Sequence, residues 1–373
     1  MRVMIVVTHL LGTGHLARAL TLGQAFATQG HQVTVASGGM PVPHFDLRGL
    51  HLVQLPPLRS DGTDFMRLLD DTGALAPDSL FAMRQAMLLD TLNQMQPDVL
   101  ITELFPFGRR ILRDEFTTLL AAAQVPGRLI LSSVRDILAP PSKPAKAVMA
   151  DEIIQTSYDG VLVHADRHVV TLDQSWPVSP MLRTKLRYTG FVAPMPPTRV
   201  GARGDTILVS AGGGTVGIVI FETALHAARQ TPTLDWHLLV GGGEDRRDAL
   251  RANAPPNTRI EGPRPDFREL MTTAAVSISM CGYNTALDVL QSGVPAVLVP
   301  FDDGNEVEQG LRAAALARLP GVAVVAQADM TADHLLRALS DVRTAAPRPP
   351  RTDGMDGAHQ TVRIVEQMLE ARE

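Results

Sequence analysis

The chain contains one cysteine, Cys281, in 373 residues. A single thiol makes no intrachain disulfide and no multi-cysteine zinc site, and it fits a reducing compartment. Aromatic residues are 4% of the chain and the formal net charge is −5, so a broad basic surface with stacking platforms, as nucleic-acid binding requires, is missing. No apolar run approaches the length of a membrane span, and the run at residues 3–7 is too short for a signal peptide and leads straight into His9 and a glycine turn. A cytoplasmic protein is expected, with peripheral membrane contact left open. What is present is ordinary soluble composition, 45% hydrophobic and 20% charged, over a length that exceeds one core and points to two domains.

The most informative stretch is residues 279–309. It reads as the end of an apolar strand (275–280), a small-residue turn, a helix from about Tyr283, a Gly-Val-Pro stop, a second strand (296–300) and an acidic, glycine-containing loop. Asn284 and Thr285 fall where the helix begins, with free N–H groups and the positive end of the dipole, a place for a phosphate. Asp288 follows one turn inside, where a carboxylate can meet ribose hydroxyls beside that phosphate.

The first half opens in the same rhythm. Residues 3–7 are a continuous apolar run, as central parallel strands are, followed by a glycine turn and a helix with Leu16, Leu20 and Ala27 at helical spacing. The Gly12-x-Gly14-x-x-Ala17 spacing invites a dinucleotide reading, but the next strand (32–36) ends in Ser37-Gly38-Gly39 with no acid for an adenosine ribose. His15 stands at the start of this helix, off the first strand's carboxyl end, where the dipole disfavours the imidazolium and suits a proton acceptor. The alternative is a helix-entry histidine that only bonds the loop, and His9 is the lesser competitor. Leu80, Met83, Met87 and Met95 repeat at helical spacing and read as core filling. Glu103 ends the strand at 99–102. It either orients His15 as the acid of a triad orients its base, or caps a helix starting near Gly108. Arg135 and Asp136 end the strand at 128–132 and are acceptor-side candidates with Gly14, unless they pair with each other at the surface. His164 and His168 flank Asp166 and Arg167; lacking a third ligand they read as loop or surface histidines, and no metal site is assigned.

The proline cluster at residues 194–197 bounds a first domain of residues 1–193. A second, at residues 203–345, restarts the strand-turn-helix order with Gly212-Gly213-Gly214-Thr215 after its first strand, where backbone N–H groups suit an anion, unless the glycines only ease packing. After a second proline-rich linker (347–351), Val362, Val365, Met368 and Leu369 mark a terminal amphipathic helix within residues 355–373.

Cys281-Gly282-Tyr283-Asn284-Thr285, Asp288, Gly293-Val294-Pro295 and Glu308-Gln309 resemble the donor-binding signature of the GT-B glycosyltransferases, including the UDP-glycosyltransferases and the family 28 enzymes that make lipid II. The resemblance implies two doubly wound α/β domains facing across a cleft, with the terminal helix crossing back onto the first. It implies Asp288 at the ribose, Glu308 and Gln309 at the sugar hydroxyls, and the Gly213-Gly214-Thr215 loop against the diphosphate. It also implies His15 as general base, with Glu103 where plant members carry an Asp. Two departures stand out: Met280 replaces a phosphate-contacting His of many plant members, and the tryptophan that stacks on the donor base is replaced by Gly262-Pro263-Arg264-Pro265, with Arg264 a candidate contact. The implied function is metal-independent and cofactor-free, an inverting transfer from a UDP-linked sugar to an unidentified hydroxyl. The alternatives are a nucleotide-sugar hydrolase, a 2-epimerase or a non-catalytic nucleotide-sugar binder, with small molecules and not nucleic acid as partners; oligomeric state is not read.

Overall fold

The computed structural model describes residues 1–10, 13–43, 45–60, 67–199, 201–212, 216–302 and 307–372. The chain divides into two compact units, one of Met1–Pro194 with Gly354–Glu373 and one of Met195–Asp353.

In the first unit β1 (Arg2–Val7) leads through α1 (Gly14–Thr28) to β2 (Gln32–Ser37) and β3 (Leu50–Gln54). A short antiparallel ribbon, β4 (Arg59–Ser60) with β5 (Leu68–Leu69), precedes α2 (Asp78–Met95), β6 (Val99–Glu103), α3 (Arg113–Ala123) and β7 (Leu129–Arg135). Then come α4 (Pro144–Ser157), β8 (Gly160–His164), α5 (Pro180–Lys185) and β9 (Leu186–Tyr188). Seven strands form one parallel sheet in the order β3-β2-β1-β6-β7-β8-β9. All five residues of β6 and of β8 are buried, as strands covered on both faces must be, and their apolar sequences follow from that. Helices start where local chemistry favours them: Pro144 and Pro180 occupy first-turn positions, and the Ser179 hydroxyl accepts from Leu182 N at 3.1 Å.

The inward face of α2 is Arg84, Leu88 and Leu92, while Met83 is 56% exposed. The expected methionine core face is thus displaced by one position, because a buried arginine opens it and hydrophobic spacing does not register it. Arg84 Nε and Nη2 donate to Glu115 at 2.8 and 2.9 Å, and Nη1 donates to the carbonyls of Gly38 and Pro56 at 2.8 and 2.6 Å. A side chain at position 38 would put its Cβ 2.4 Å from Arg84 Nη2, so the glycine after β2 is a steric requirement.

The second unit contains β10 (Ile207–Ser210), α6 (Ile218–Gln230), β11 (Trp236–Leu239), α7 (Glu244–Arg251), β12 (Thr258–Glu261), α8 (Phe267–Thr273) and β13 (Val276–Ser279). It continues with α9 (Tyr283–Ser292), β14 (Ala296–Leu298), α10 (Glu308–Leu316), β15 (Val322–Val324) and α11 (Ala332–Thr344), which Thr331 caps. Its parallel sheet runs β12-β11-β10-β13-β14-β15. Gly293 ends α9 in the left-handed conformation (φ 64°), where a Cβ would meet Arg348 O at 2.7 Å.

The chain then returns to the first unit with α12 (Gly357–Glu370). Phe191 N donates to Gly354 O and Gly357 N to Phe191 O, and Val362 and Val365 join the core formed by Leu16, Leu20, Val3 and Ile5.

In both sheets the chain first builds strands to one side of the opening strand and then to the other. The reversal falls between β1 and β6 in the first unit and between β10 and β13 in the second. Neighbouring loops diverge there at the strands' carboxyl ends, which makes room for a ligand.

Candidate functional site

His15 and Glu103 occupy the reversal point of the first sheet. His15 is the second residue of α1, after β1, and Glu103 is the last of β6. Nδ1 of His15 lies 2.7 Å from Glu103 Oε1, the same oxygen that accepts from Arg18 Nη2. Arg18 is one turn along α1 from His15, which puts both side chains on one face. The side chains of Glu103 and Arg18 are 2% and 5% exposed, that of His15 16%. With Nδ1–H donating to the carboxylate, Nε2 is the ring's proton acceptor.

The electrostatics agree with that tautomer. Burial pushes the His15 pKa down to about 4, the attraction of Glu103 opposes this, and Arg109 and Arg135 add to the fall. Burial pushes Glu103 up, but the positive charges of Arg18 and Arg109 and the His15 hydrogen bond hold it well below the usual carboxylate range. The pair is therefore a neutral imidazole beside an ionised acid. Leu104 and Arg109, both non-glycine residues at positive φ (69° and 57°), flank the turn after Glu103, and Arg109 Nε donates to Thr8 O at 2.6 Å. No α-helix begins at Gly108: a single 3-10 turn, Arg110–Leu112, precedes α3, so Glu103 serves His15 and Arg18 and caps nothing.

Other first-unit candidates fall nearby. A Cβ on Gly14 would meet nothing within 4 Å. Arg135 ends β7 half-buried, and Asp136 is buried, so neither is an exposed surface residue. His9 is 4% exposed, and neither ring nitrogen has a hydrogen-bond partner among the described residues. His164 is a core residue and not a loop or surface one: it is fully buried, with Nε2 2.8 Å from Ser133 Oγ and Nδ1 2.8 Å from Thr189 Oγ1, and burial holds its pKa near about 3. No group of three or more metal-ligating side chains occurs among the described residues.

The second unit presents its own reversal point. Gly213, Gly214 and Thr215 lie outside the described residues; Gly212 before them has φ 77°. From β13 the chain passes through buried Cys281 and Gly282 into α9, whose backbone bonding starts with Ala286 N donating to Gly282 O at 2.9 Å. The N–H groups ahead of it are those that every helix start leaves to an outside acceptor. Asn284 is exposed and Thr285 half-buried there. Gln309, at the start of α10, accepts through Oε1 from Cys281 N at 3.0 Å and Phe301 N at 3.2 Å, tying the turn after β13 to the one after β14. Its carbonyl is thus committed to backbone, and only the amide NH₂ remains to face a ligand. Glu308 beside it is buried, and Arg312, one turn further, donates to Cys281 O at 3.0 Å with its guanidinium 5.9 Å from the Tyr283 ring centre.

Asp288 is 8% exposed, and its Oδ1 accepts from Arg268 Nε at 2.7 Å. Burial raises its pKa and Arg268 opposes the rise. Arg268 also donates to Gln291 Oε1 and, at 2.7 Å, to Met195 O. Arg264 is engaged with Asp266 and Glu261 and lines a cavity of about 230 Å³ with Thr206, His237 and Thr273; no described contact joins it to the Cys281–Asp288 group.

Four arginines at these sites, Arg18, Arg109, Arg268 and Arg312, were not singled out in the sequence. Arg18 and Arg312 carried a signal, three positions after His15 and Gln309. Arg109 and Arg268 carried none, because their partners are distant in the chain.

Residues 209–368 match the model of the glycosyltransferase family 28 C-terminal domain. Over 169 residues the chain is 29% identical to the UDP-N-acetylglucosamine–N-acetylmuramyl-(pentapeptide) pyrophosphoryl-undecaprenol N-acetylglucosamine transferase of Corynebacterium efficiens, a match spanning 44% of each chain. It thus spans less than half of that relative's length. Among solved structures, MurG of Acinetobacter baumannii superposes with a TM-score of 0.64 at 17% identity, covering 99% of this chain and 100% of that one. The glycosyltransferase VinC in complex with dTDP gives 0.63 at 16% identity, covering 100% of both chains. At these identities the structural likeness establishes fold. With its two parallel doubly wound sheets the chain has the GT-B fold of these structures, and its residues 209–368 are similar to the glycosyltransferase family 28 C-terminal domain.

Proposed function

We propose that the protein transfers a sugar from a nucleoside-diphosphate sugar, most simply a UDP-linked one, to a hydroxyl acceptor with inversion at the anomeric carbon. The observation that carries this reading is the 2.7 Å contact between His15 and Glu103, which aims a neutral imidazole's other nitrogen away from the acid. In the proposed step His15 Nε2 takes the proton of the acceptor hydroxyl while its oxygen bonds to the anomeric carbon. The bond from that carbon to the diphosphate oxygen breaks, and its electron pair leaves on the diphosphate. A single displacement of this kind inverts the centre. Glu103 holds the tautomer and stabilises the imidazolium that forms.

The second unit holds the donor in this reading. The start of α9 at Asn284 and Thr285 and the Gly213-Gly214-Thr215 loop stabilise the departing charge in place of a metal. Asp288 binds the ribose, exchanging its Arg268 contact for, or sharing it with, the hydroxyls; Glu308 and the Gln309 amide face the sugar. The named donor of the family 28 relatives makes UDP-N-acetylglucosamine the first to test. Incubation with it and a panel of hydroxyl acceptors should yield UDP and an inverted glycoside, and the His15→Ala variant should bind UDP with wild-type affinity yet turn over slowly. Binding without turnover on any acceptor, unaffected by His15→Ala, would make the chain a sensor; UDP release without acceptor would make it a hydrolase.

A further inference from the structure

The second unit carries a cluster of cations that the donor reading does not use. At the amino edge of its sheet, where β13, β14 and β15 begin, lies a cavity of about 310 Å³ whose lining includes Arg203, Arg343, Arg348 and Asp205. Ligand sites in doubly wound sheets sit at the opposite, carboxyl edge, so this cavity is separate from the nucleotide site. Its volume is at the small end of the roughly 300–1,000 Å³ of ligand pockets.

None of these arginines forms an ion pair among the described residues, although Asp205 shares the lining. Arg203 donates only to carbonyls, those of Ala274, Ser292 and Gly293 at 3.0–3.5 Å. Arg348 donates to Pro320, Val289 and Val294 carbonyls at 2.9–3.3 Å, and its Nε is buried without a partner among the described residues. Arg343, in the last turn of α11, is exposed and makes no described hydrogen bond or ion pair. Burial lowers the pKa of Arg203 and, to about 10, that of Arg348, and the charge of Arg203 adds to the second. Two half-buried guanidiniums that repel each other and retain unused N–H donors are what a multivalent anion would stabilise, and the planar fork of arginine fits phosphate oxygens.

We propose that Arg203, Arg343 and Arg348 form a second, non-donor binding site for a phosphate or pyrophosphate group. The carbonyls these arginines already hold include those ending α9, so an anion seated there would brace the helix from its carboxyl end.

The test is a calorimetric titration of pyrophosphate, with inorganic phosphate beside it, in phosphate-free buffer with and without saturating UDP. The expected result is saturable binding that persists with UDP present, weakens at least tenfold in Arg343→Ala and disappears in Arg343→Ala/Arg348→Gln. Arg343→Ala is the informative variant because its side chain makes no described contact whose loss would unfold the unit. Binding should be unchanged in Asp288→Ala, which separates this site from the donor site whatever the donor proves to be. Sedimentation with phosphatidylglycerol vesicles that depends on Arg343, without binding of soluble pyrophosphate, would assign the same site to a lipid phosphate. Binding equal in wild type and Arg343→Ala, or none to either probe, overturns the proposal.

Discussion

His15 Nδ1 and Glu103 Oε1 lie 2.7 Å apart although 88 positions separate them in the chain. Parallel pairing of β1 with β6, with Val6 opposite Thr102, brings the end of one strand beside the end of the other, and α1 starts immediately above. The acid's second oxygen, Oε2, is buried with no partner among the described residues. An ionised carboxylate left half-satisfied is tolerated because Arg18 and His15 share the other oxygen.

Replacing Glu103 by Gln should therefore remove the charge that stabilises the imidazolium while keeping the side chain's shape. Turnover is expected to fall by about 10²-fold or more, with nucleotide affinity unchanged. Steady-state kinetics beside calorimetry with UDP decides it, and a kcat within twofold of wild type would remove Glu103 from the mechanism.

Asp288→Ala tests the proposed donor side of the reaction. Loss of a hydrogen bond to a charged group, about 1.5–3 kcal/mol, should weaken UDP binding about 10- to 100-fold. His15→Ala should leave that affinity intact and slow turnover. Equal losses of binding in both variants would contradict the assignment of donor and acceptor functions.

The pH response has a defined sign. In the proposed mechanism the base is the neutral imidazole, and burial lowers its pKa to about 4, so kcat/KM should stay high as pH drops below 6.5 and fall only near pH 4. Stability follows the same direction. His15 and His164 take up a proton near pH 6.5 in the unfolded chain but only near about 4 and about 3 when folded. Between those values the unfolded state binds more protons, so stability declines as pH falls through the window and these groups add no slope above pH 7. Thermal melts across pH 3–8 would show a decline with acid, and a flat profile between 7 and 4 would count against buried neutral histidines.

Arg84→Met should be among the most damaging substitutions away from either site. It strands the buried Glu115 carboxylate and releases the Gly38 and Pro56 carbonyls, for a cost of about 3–5 kcal/mol. The urea midpoint should drop with little change in slope. A loss under 1 kcal/mol would show that Glu115 finds another partner.

The chain's α/β class was legible because β1, β6, β10 and β13 are apolar runs and the helices between them keep a 3.6-residue spacing. The turn proposed to hold the nucleotide was legible as a strand-to-helix turn for a local reason, since a strand, Cys281-Gly282 and the start of α9 are contiguous in sequence. Asp288 illustrates the limit. Its place one turn into the helix was readable, but its contact with Arg268, 20 positions earlier, was not. The same holds for Arg84, which opens an inward face that hydrophobic spacing assigned to methionines, and for His164, whose two hydroxyl partners come from β7 and the segment after β9.

By itself, then, the sequence determined the alternation of strands and helices, the proline-rich joints near residues 195 and 349, and the helix start after Gly282, all of which depend on residues a few positions apart. Only the tertiary structure decided that Glu103 meets His15 and Arg18, that Arg268 holds Asp288, and that Arg203 and Arg348 converge on one cavity. Those contacts are set by strand order and register, which join distant segments and leave no local periodicity to read.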